Sequence, residues 1–241
     1  MDAEASRSIG DNVQTVYERL RQAALAVRRR ADSVRLVAAT KSISVEAIRE
    51  GLAAGLTILG ENRLQEALPK IEALRGEPVR WHFIGRLQRR KVRSVVGLFD
   101  LIHSVDSFEL AREIDQRAKR AGQRQAVLLE VNIGDEATKA GFRPDDLHSH
   151  LAELSRLSYM VVKGLMTIPP PTSDPEQARP YFRRLRDLAQ ELGQHAPGLS
   201  MEELSMGMSN DYVVAVEEGA TLVRVGTAIF GSRRDAKDDK E

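Results

Sequence analysis

The chain of 241 residues contains no cysteine, which excludes disulfides, a catalytic thiol and thiolate metal sites at once. It also lacks a charge of one sign: 36 basic residues face 35 acidic ones for a formal charge of +1. That balance gives no global reason to expect nucleic acid or an anionic membrane as partner. No apolar run is long enough to span a bilayer, and the opening Met1-Asp2-Ala3-Glu4-Ala5-Ser6 has neither the basic nor the apolar region of a secretory signal. The expected location is the cytoplasm. No Pro/Gly/Ser-rich stretch reads as an interdomain linker, and at 42% hydrophobic and 29% charged the chain has enough apolar material for a full core.

What is present is an alternation. Residues 9–30 read as an amphipathic helix, with Val13, Val16, Tyr17, Leu20, Ala24 and Val27 at helical spacing. Strand patterns follow at 34–40, 57–59, 79–84, 101–105, 126–132, 160–166, 203–206 and 221–225, each trailed by a helical pattern. Ser44 before Val45-Glu46-Ala47, and Ser107 before Phe108-Glu109, are helix-capping entries, and Pro144 opens another helix. Pro169-Pro170-Pro171-Thr172-Ser173 makes a stiff loop after the sixth strand. Eight strand–helix units in a chain of this length predict a single (β/α)8 TIM barrel with an extra N-terminal helix, spanning 1–231, and a small, charged tail at 232–241 expected to be disordered. A doubly wound open sheet is the competing architecture.

In a barrel the chemistry collects at the carboxyl ends of the strands. Lys41 ends the first strand, where burial in a pocket would lower its pKa and make its amine a nucleophile toward an aldehyde. The second strand runs into Gly60-Glu61-Asn62. The seventh runs into Ser205-Met206-Gly207-Met208-Ser209, and the eighth carries Arg224 before Gly226-Thr227. Glycine and hydroxyl residues at these last two loops suit a phosphate, held by backbone N–H groups. A phosphate cradle at one end and a Schiff-base amine at the other describe a site for pyridoxal 5′-phosphate. Arg224, inside Leu222-Val223-Arg224-Val225-Gly226, needs a polar target.

Taken in order, these segments, with Trp81-His82-Phe83-Ile84-Gly85-Arg86-Leu87-Gln88, Ile102-His103-Ser104-Val105-Asp106, Val131-Asn132-Ile133 and Gly164-Leu165-Met166, closely resemble the YggS/PROSC family of pyridoxal phosphate homeostasis proteins. The resemblance covers about 34–231. It implies a barrel like the N-terminal domain of alanine racemase, holding the cofactor as a Schiff base on Lys41. By motif, Ser209, Gly226 and Thr227 would be phosphate ligands, Arg224 the partner of the pyridine nitrogen and Asn62 a polar pocket residue. Arg90 stands before Lys91 where the family commonly has asparagine.

The resemblance further implies a reservoir or carrier in vitamin B6 homeostasis, without substantial catalysis. Its partners would be pyridoxal phosphate and apo forms of enzymes that use it, and a monomer is expected. The alternative is a single-domain, racemase-like enzyme. A two-base racemase needs a second acid/base opposite the lysine, and of Tyr17, Tyr159, Tyr181 and Tyr212 only Tyr212 lies near the phosphate loop. His82 and His103 are expected as packed, hydrogen-bonded core residues. The run Arg86, Arg89, Arg90, Lys91 and Arg93 is expected to be a solvated face, and Met201, Met206 and Met208 packing and loop residues.

Overall fold

The computed structural model describes residues 8–136, 139–196 and 198–231. The expected tail at 232–241 lies outside them. Eight parallel strands, β1 (Arg35–Ala39), β2 (Ile58–Glu61), β3 (Arg80–Phe83), β4 (Leu101–Val105), β5 (Gln125–Glu130), β6 (Met160–Met166), β7 (Glu203–Ser205) and β8 (Leu222–Val225), pair in sequence order. β8 returns to β1, with Val37 opposite Arg224, and closes the barrel. The open-sheet alternative is thereby excluded. Among the described residues no helix is long and apolar enough to cross a membrane.

The helices α1 (Ile9–Ala26), α2 (Val45–Ala53), α3 (Leu64–Ala73), α4 (Phe108–Arg120), α5 (Pro144–Leu154), α6 (Arg179–His195), α7 (Tyr212–Glu217) and α8 (Thr227–Phe230) surround this ring. Helix α1 begins at a capping box: the Ser8 hydroxyl accepts the Asp11 N–H at 3.1 Å while the Asp11 carboxylate accepts the Ser8 N–H. It buries Val13, Val16, Leu20, Ala23 and Ala24. It stops four residues before the sequence pattern suggests. Arg28 turns into the left-handed region at φ 58°, and Arg29 carries its guanidinium to the carbonyls of Val216 and Ala220, each at 2.8 Å. Satisfying the end of α7 thus outweighs one more helical turn.

After β3 the chain forms a 3₁₀ turn (Arg89–Ser94) where an α-helix was expected. Val92 within it and Val95 and Phe99 just beyond it are buried in the core, so the apolar positions of the expected helix still pack, but through a shorter and tighter turn. Arg86, Arg89, Arg90 and Arg93 are exposed and Lys91 is half-buried, in keeping with the expected solvated face.

Two apolar layers result. The larger lies between strands and helices, and a smaller one, built from Val37, Ile58, Leu101, Leu128, Met166 and Leu222, fills the barrel interior. The interior nevertheless also holds His82, His103, Ser205 and Arg224, all buried. Gly164, in β6, has φ +153°, and a Cβ there would lie 1.8 Å from the Glu203 carbonyl oxygen of β7. Gly164→Ala should therefore cost about 3 kcal/mol of stability through backbone strain and overpacking, read as a lower urea midpoint. An unchanged midpoint would contradict this packing.

Candidate functional site

The six residues singled out in the sequence come from the ends of β1, β2, β7 and β8 and meet on one cavity of about 600 Å³. Lys41, Asn62, Ser209, Arg224, Gly226 and Thr227 all line it. Apolar contacts are supplied by Ala39, Ile43, Ile84 and Phe230.

Lys41 occupies a tight turn. The Ile43 N–H donates to the Thr40 carbonyl at 3.0 Å, and Ser42 takes φ 61°, a conformation a serine adopts only when held there. It is held by Glu66, whose carboxylate accepts the Ser42 N–H at 3.0 Å. The residue before Lys41 is fixed still more firmly. The Thr40 carbonyl accepts from the Lys70 ammonium at 2.6 Å, and the Thr40 hydroxyl donates to Glu61 Oε1 at 2.6 Å. Lys70 closes the triangle on the same Glu61 oxygen at 2.7 Å. The backbone leading to both Lys41 and Asn62 is thus clamped by one buried ion pair. Lys41 itself is exposed. The burial expected at this strand end is therefore absent, because the turn carries its side chain to the rim.

Asn62 presents a buried Oδ1 that has no hydrogen-bond partner among the described residues. Its backbone is pressed against Gly85, where a Cβ would lie 2.2 Å from the Asn62 carbonyl oxygen, so only glycine fits there. On the opposite side the Ser209 hydroxyl accepts the N–H groups of Gly226 and Ala228 at 3.2 and 3.3 Å. Since those bonds use its oxygen as acceptor, its own proton is available to a ligand. Gly226 is tight as well: a Cβ would come within 3.2 Å of the Ala39 carbonyl oxygen.

Arg224 forms the floor. Its guanidinium donates to the Ser205 carbonyl at 2.8 Å, the Ser205 hydroxyl at 2.6 Å and the Thr167 carbonyl at 2.9 Å. Burial lowers its pKa from 12.5 to about 10, with Glu130 and Asp211 opposing the shift, so it stays a cation at neutral pH. His82 and His103 lie in the interior behind it, joined to each other at 3.0 Å, as packed core histidines.

Of the tyrosines, Tyr212 is buried in the core, Tyr17 donates to the Gly55 carbonyl at 3.0 Å, and none of the four lines the cavity. Met206 is buried, and Met208 is 37% exposed on the cavity wall. Two polar residues near the site escaped the sequence reading. Lys70 sits on α3, where a buried lysine has no pattern of its own. Glu130 had a signal: it continues the inward face of Ala126 and Leu128 at strand spacing, so its carboxyl points into the barrel mouth.

The fold and this constellation define a class, the alanine racemase N-terminal domain type of barrel, whose family matches residues 16–234. An alanine racemase from Clostridium difficile, 15% identical with a TM-score of 0.71, matches over 92% of this chain and 60% of its own, and speaks for the fold alone. Within that class the chain belongs to the pyridoxal phosphate homeostasis protein family. It is 46% identical over 224 residues to the pyridoxal phosphate homeostasis protein of Aquifex aeolicus, 93% of this chain and 98% of that one. It is also 42% identical to PipY of Synechococcus elongatus, solved with PLP bound, at a TM-score of 0.79 over 90% of this chain and all of that one.

Burial pushes the Glu130 carboxyl up from 4.5 to about 7, aided by neighbouring Asp106 and opposed by Arg224 and Arg86. Because the folded value lies above the unfolded one, its contribution to stability is complete below pH 4.5 and is lost as pH rises to about 7. Glu130→Gln should remove that slope and stabilise the protein at pH 8 by about 1–3 kcal/mol, measured by urea denaturation at pH 5 and pH 8. The same pH difference in variant and parent would count against a raised Glu130.

Proposed function

We propose that this chain binds pyridoxal 5′-phosphate in the cavity between Lys41 and the β7 and β8 loops, and serves as a carrier or reservoir of the cofactor in vitamin B6 homeostasis. The observation that carries the reading is the convergence of Lys41, Asn62, Ser209, Arg224, Gly226 and Thr227 on one cavity. The donor set suits the ligand. A buried Asn62 Oδ1, unpartnered among the described residues, asks for a hydroxyl or N–H donor, the Ser209 proton and Thr227 at the start of α8 ask for an anion, and Arg224 asks for an acceptor. When bound, the cofactor supplies an aldehyde that a lysine amine captures reversibly.

Each residue then has a task. Lys41 reaches the aldehyde from the rim, Ser209, Gly226 and Thr227 hold the phosphate, and Arg224 faces the pyridine nitrogen. A guanidinium only donates, so the nitrogen it meets must accept and stay unprotonated, which weakens the ring as an electron sink. That favours holding over transforming. None of the tyrosines lines the cavity, which likewise supports a non-catalytic role over a racemase-like one. Apo enzymes as recipients, a monomeric state and a cytoplasmic location belong to the same proposal.

Borohydride reduction of the loaded protein should place the pyridoxyl label on Lys41 by peptide mapping, and Lys41→Ala should lose the covalent link while keeping phosphate-dependent binding. A label on Lys139 or Lys163 overturns the assignment. In deuterated water, amino acids mixed with the loaded protein should show no α-proton exchange above that given by free cofactor; Lys41-dependent exchange would establish catalysis instead.

Replacing Ser209 and Thr227 together by alanine should weaken pyridoxal phosphate far more than pyridoxal, by about 1.5–3 kcal/mol per charge-assisted bond. Equal weakening of the two ligands, read by equilibrium titration, would refute the phosphate cradle.

A further inference from the structure

We propose that His103, acting through Ser205, is a positioning residue for Arg224: Arg224, Ser205, His103 and His82 form a one-way hydrogen-bond chain along the barrel interior that decides which N–H bonds the guanidinium has left for the cavity.

The direction follows from proton inventory. A guanidinium has five N–H donors and no acceptor, so every contact it makes must run outward. Arg224 Nη1 reaches the Ser205 carbonyl at 2.8 Å and the Ser205 hydroxyl at 2.6 Å, which uses both of its hydrogens. Nη2 spends one hydrogen on the Thr167 carbonyl at 2.9 Å. The Ser205 oxygen is therefore an acceptor toward Arg224, and its single proton goes to its other close neighbour, His103 Nδ1, at 2.8 Å. An Nδ1 that accepts leaves the ring proton on Nε2, and His103 Nε2 lies 3.0 Å from His82 Nδ1. His82 must then accept in turn and carry its own proton on Nε2.

The surroundings agree with two neutral rings. His103 and Ser205 are fully buried, and His82 and Arg224 nearly so. The charged groups that bear on the rings are cations: Arg35 and Arg80 act on His82, and Arg224 and Arg35 on His103. Burial, with these cations, lowers His82 to about 3 and His103 well below its ordinary value.

With four N–H bonds to assign outside Nε and three committed, Arg224 retains one Nη2 hydrogen and the Nε–H among the described residues. These two hydrogens are what the guanidinium has left for the cavity it lines, and the three bonds behind it hold the planar group in place. The meaning for the cofactor rests on the proposed pyridoxal phosphate site; the polarity of the chain does not.

The test has two arms. In ligand-free protein labelled with ¹⁵N-histidine, and assigned with His82→Gln, His103 should show an unprotonated Nδ1 and a protonated Nε2 from pH 8 down to pH 5. A protonated Nδ1, or a doubly protonated ring in that range, overturns the chain. In the second arm, Ser205→Ala should weaken pyridoxal phosphate about tenfold and shift the absorption maximum of the bound chromophore, and Ser205→Thr, which keeps the hydroxyl, should restore both. If Ser205→Ala lowers thermal stability but leaves affinity and spectrum unchanged, Ser205 is only structural and the positioning role falls. If the first arm holds but the parent protein binds no pyridoxal phosphate, the chain stands, its consequence for the cofactor is overturned, and it is the functional reading that fails.

Discussion

A guanidinium on the axis of a barrel has to be solvated by the barrel itself. Leaving Arg224 buried without partners would cost several kcal/mol, and the interior answers with the Ser205 and Thr167 carbonyls and the Ser205 hydroxyl. Those groups stand on β7 and just beyond β6, so the cation is satisfied only when β6, β7 and β8 are in register. Closure of the ring between β8 and β1 then puts Val37 beside Arg224 and brings Lys41, two residues past β1, to the same mouth. The polar interior is a consequence of that one charge: Ser205, once it accepts from Arg224, must donate onward, and His103 is what receives it.

The second buried charge acts differently. Lys70 and Glu61 form an ion pair whose desolvation largely offsets its attraction, so a net gain in stability is not the main thing it supplies. What it supplies is position. One Glu61 oxygen takes both the Lys70 ammonium and the Thr40 hydroxyl, while Lys70 also holds the Thr40 carbonyl. A single knot therefore sets the backbone just ahead of Lys41 and of Asn62, residues from different strands that line one cavity. Ser42's left-handed conformation, anchored by Glu66, extends the same control one residue further.

Much of this was legible in the chain. Short strand-like runs alternating with helical patterns located eight strands, and the residues at their carboxyl ends, Lys41 through Thr227, were singled out by asking what each strand delivers to the mouth. That argument needs only topology. It fails where an outcome depends on a side chain's company. Lys70 is the single lysine of α3, with nothing in the sequence around it to mark it as buried, and only the pairing of β1 with β2 shows that it lies over Glu61 and Thr40. The burial expected of Lys41 was wrong for a related reason: a strand pattern tells where the strand ends but not which way the turn after it throws the next side chain. The first helix ended early because Arg29 had carbonyls of α7 to satisfy, a contact across 187 residues of sequence.

An exposed lysine beside a buried arginine has a consequence for the proposed role. Arg224 is locked by three bonds in a dry floor, so the pyridine end of a ligand would meet a rigid partner. Lys41 stands at the rim, where, in the proposed role, water and other amines would reach the carbon it attacks. Enzymes that drive carbanion chemistry on this cofactor exclude water around the reacting atoms, so that charges act at full strength. In the proposed role, the half of the site that would fix orientation is dry and the half that would form and break the covalent link is wet. Such a division makes capture reversible on contact with a competing amine, which suits a protein whose task is to hold an aldehyde and give it back.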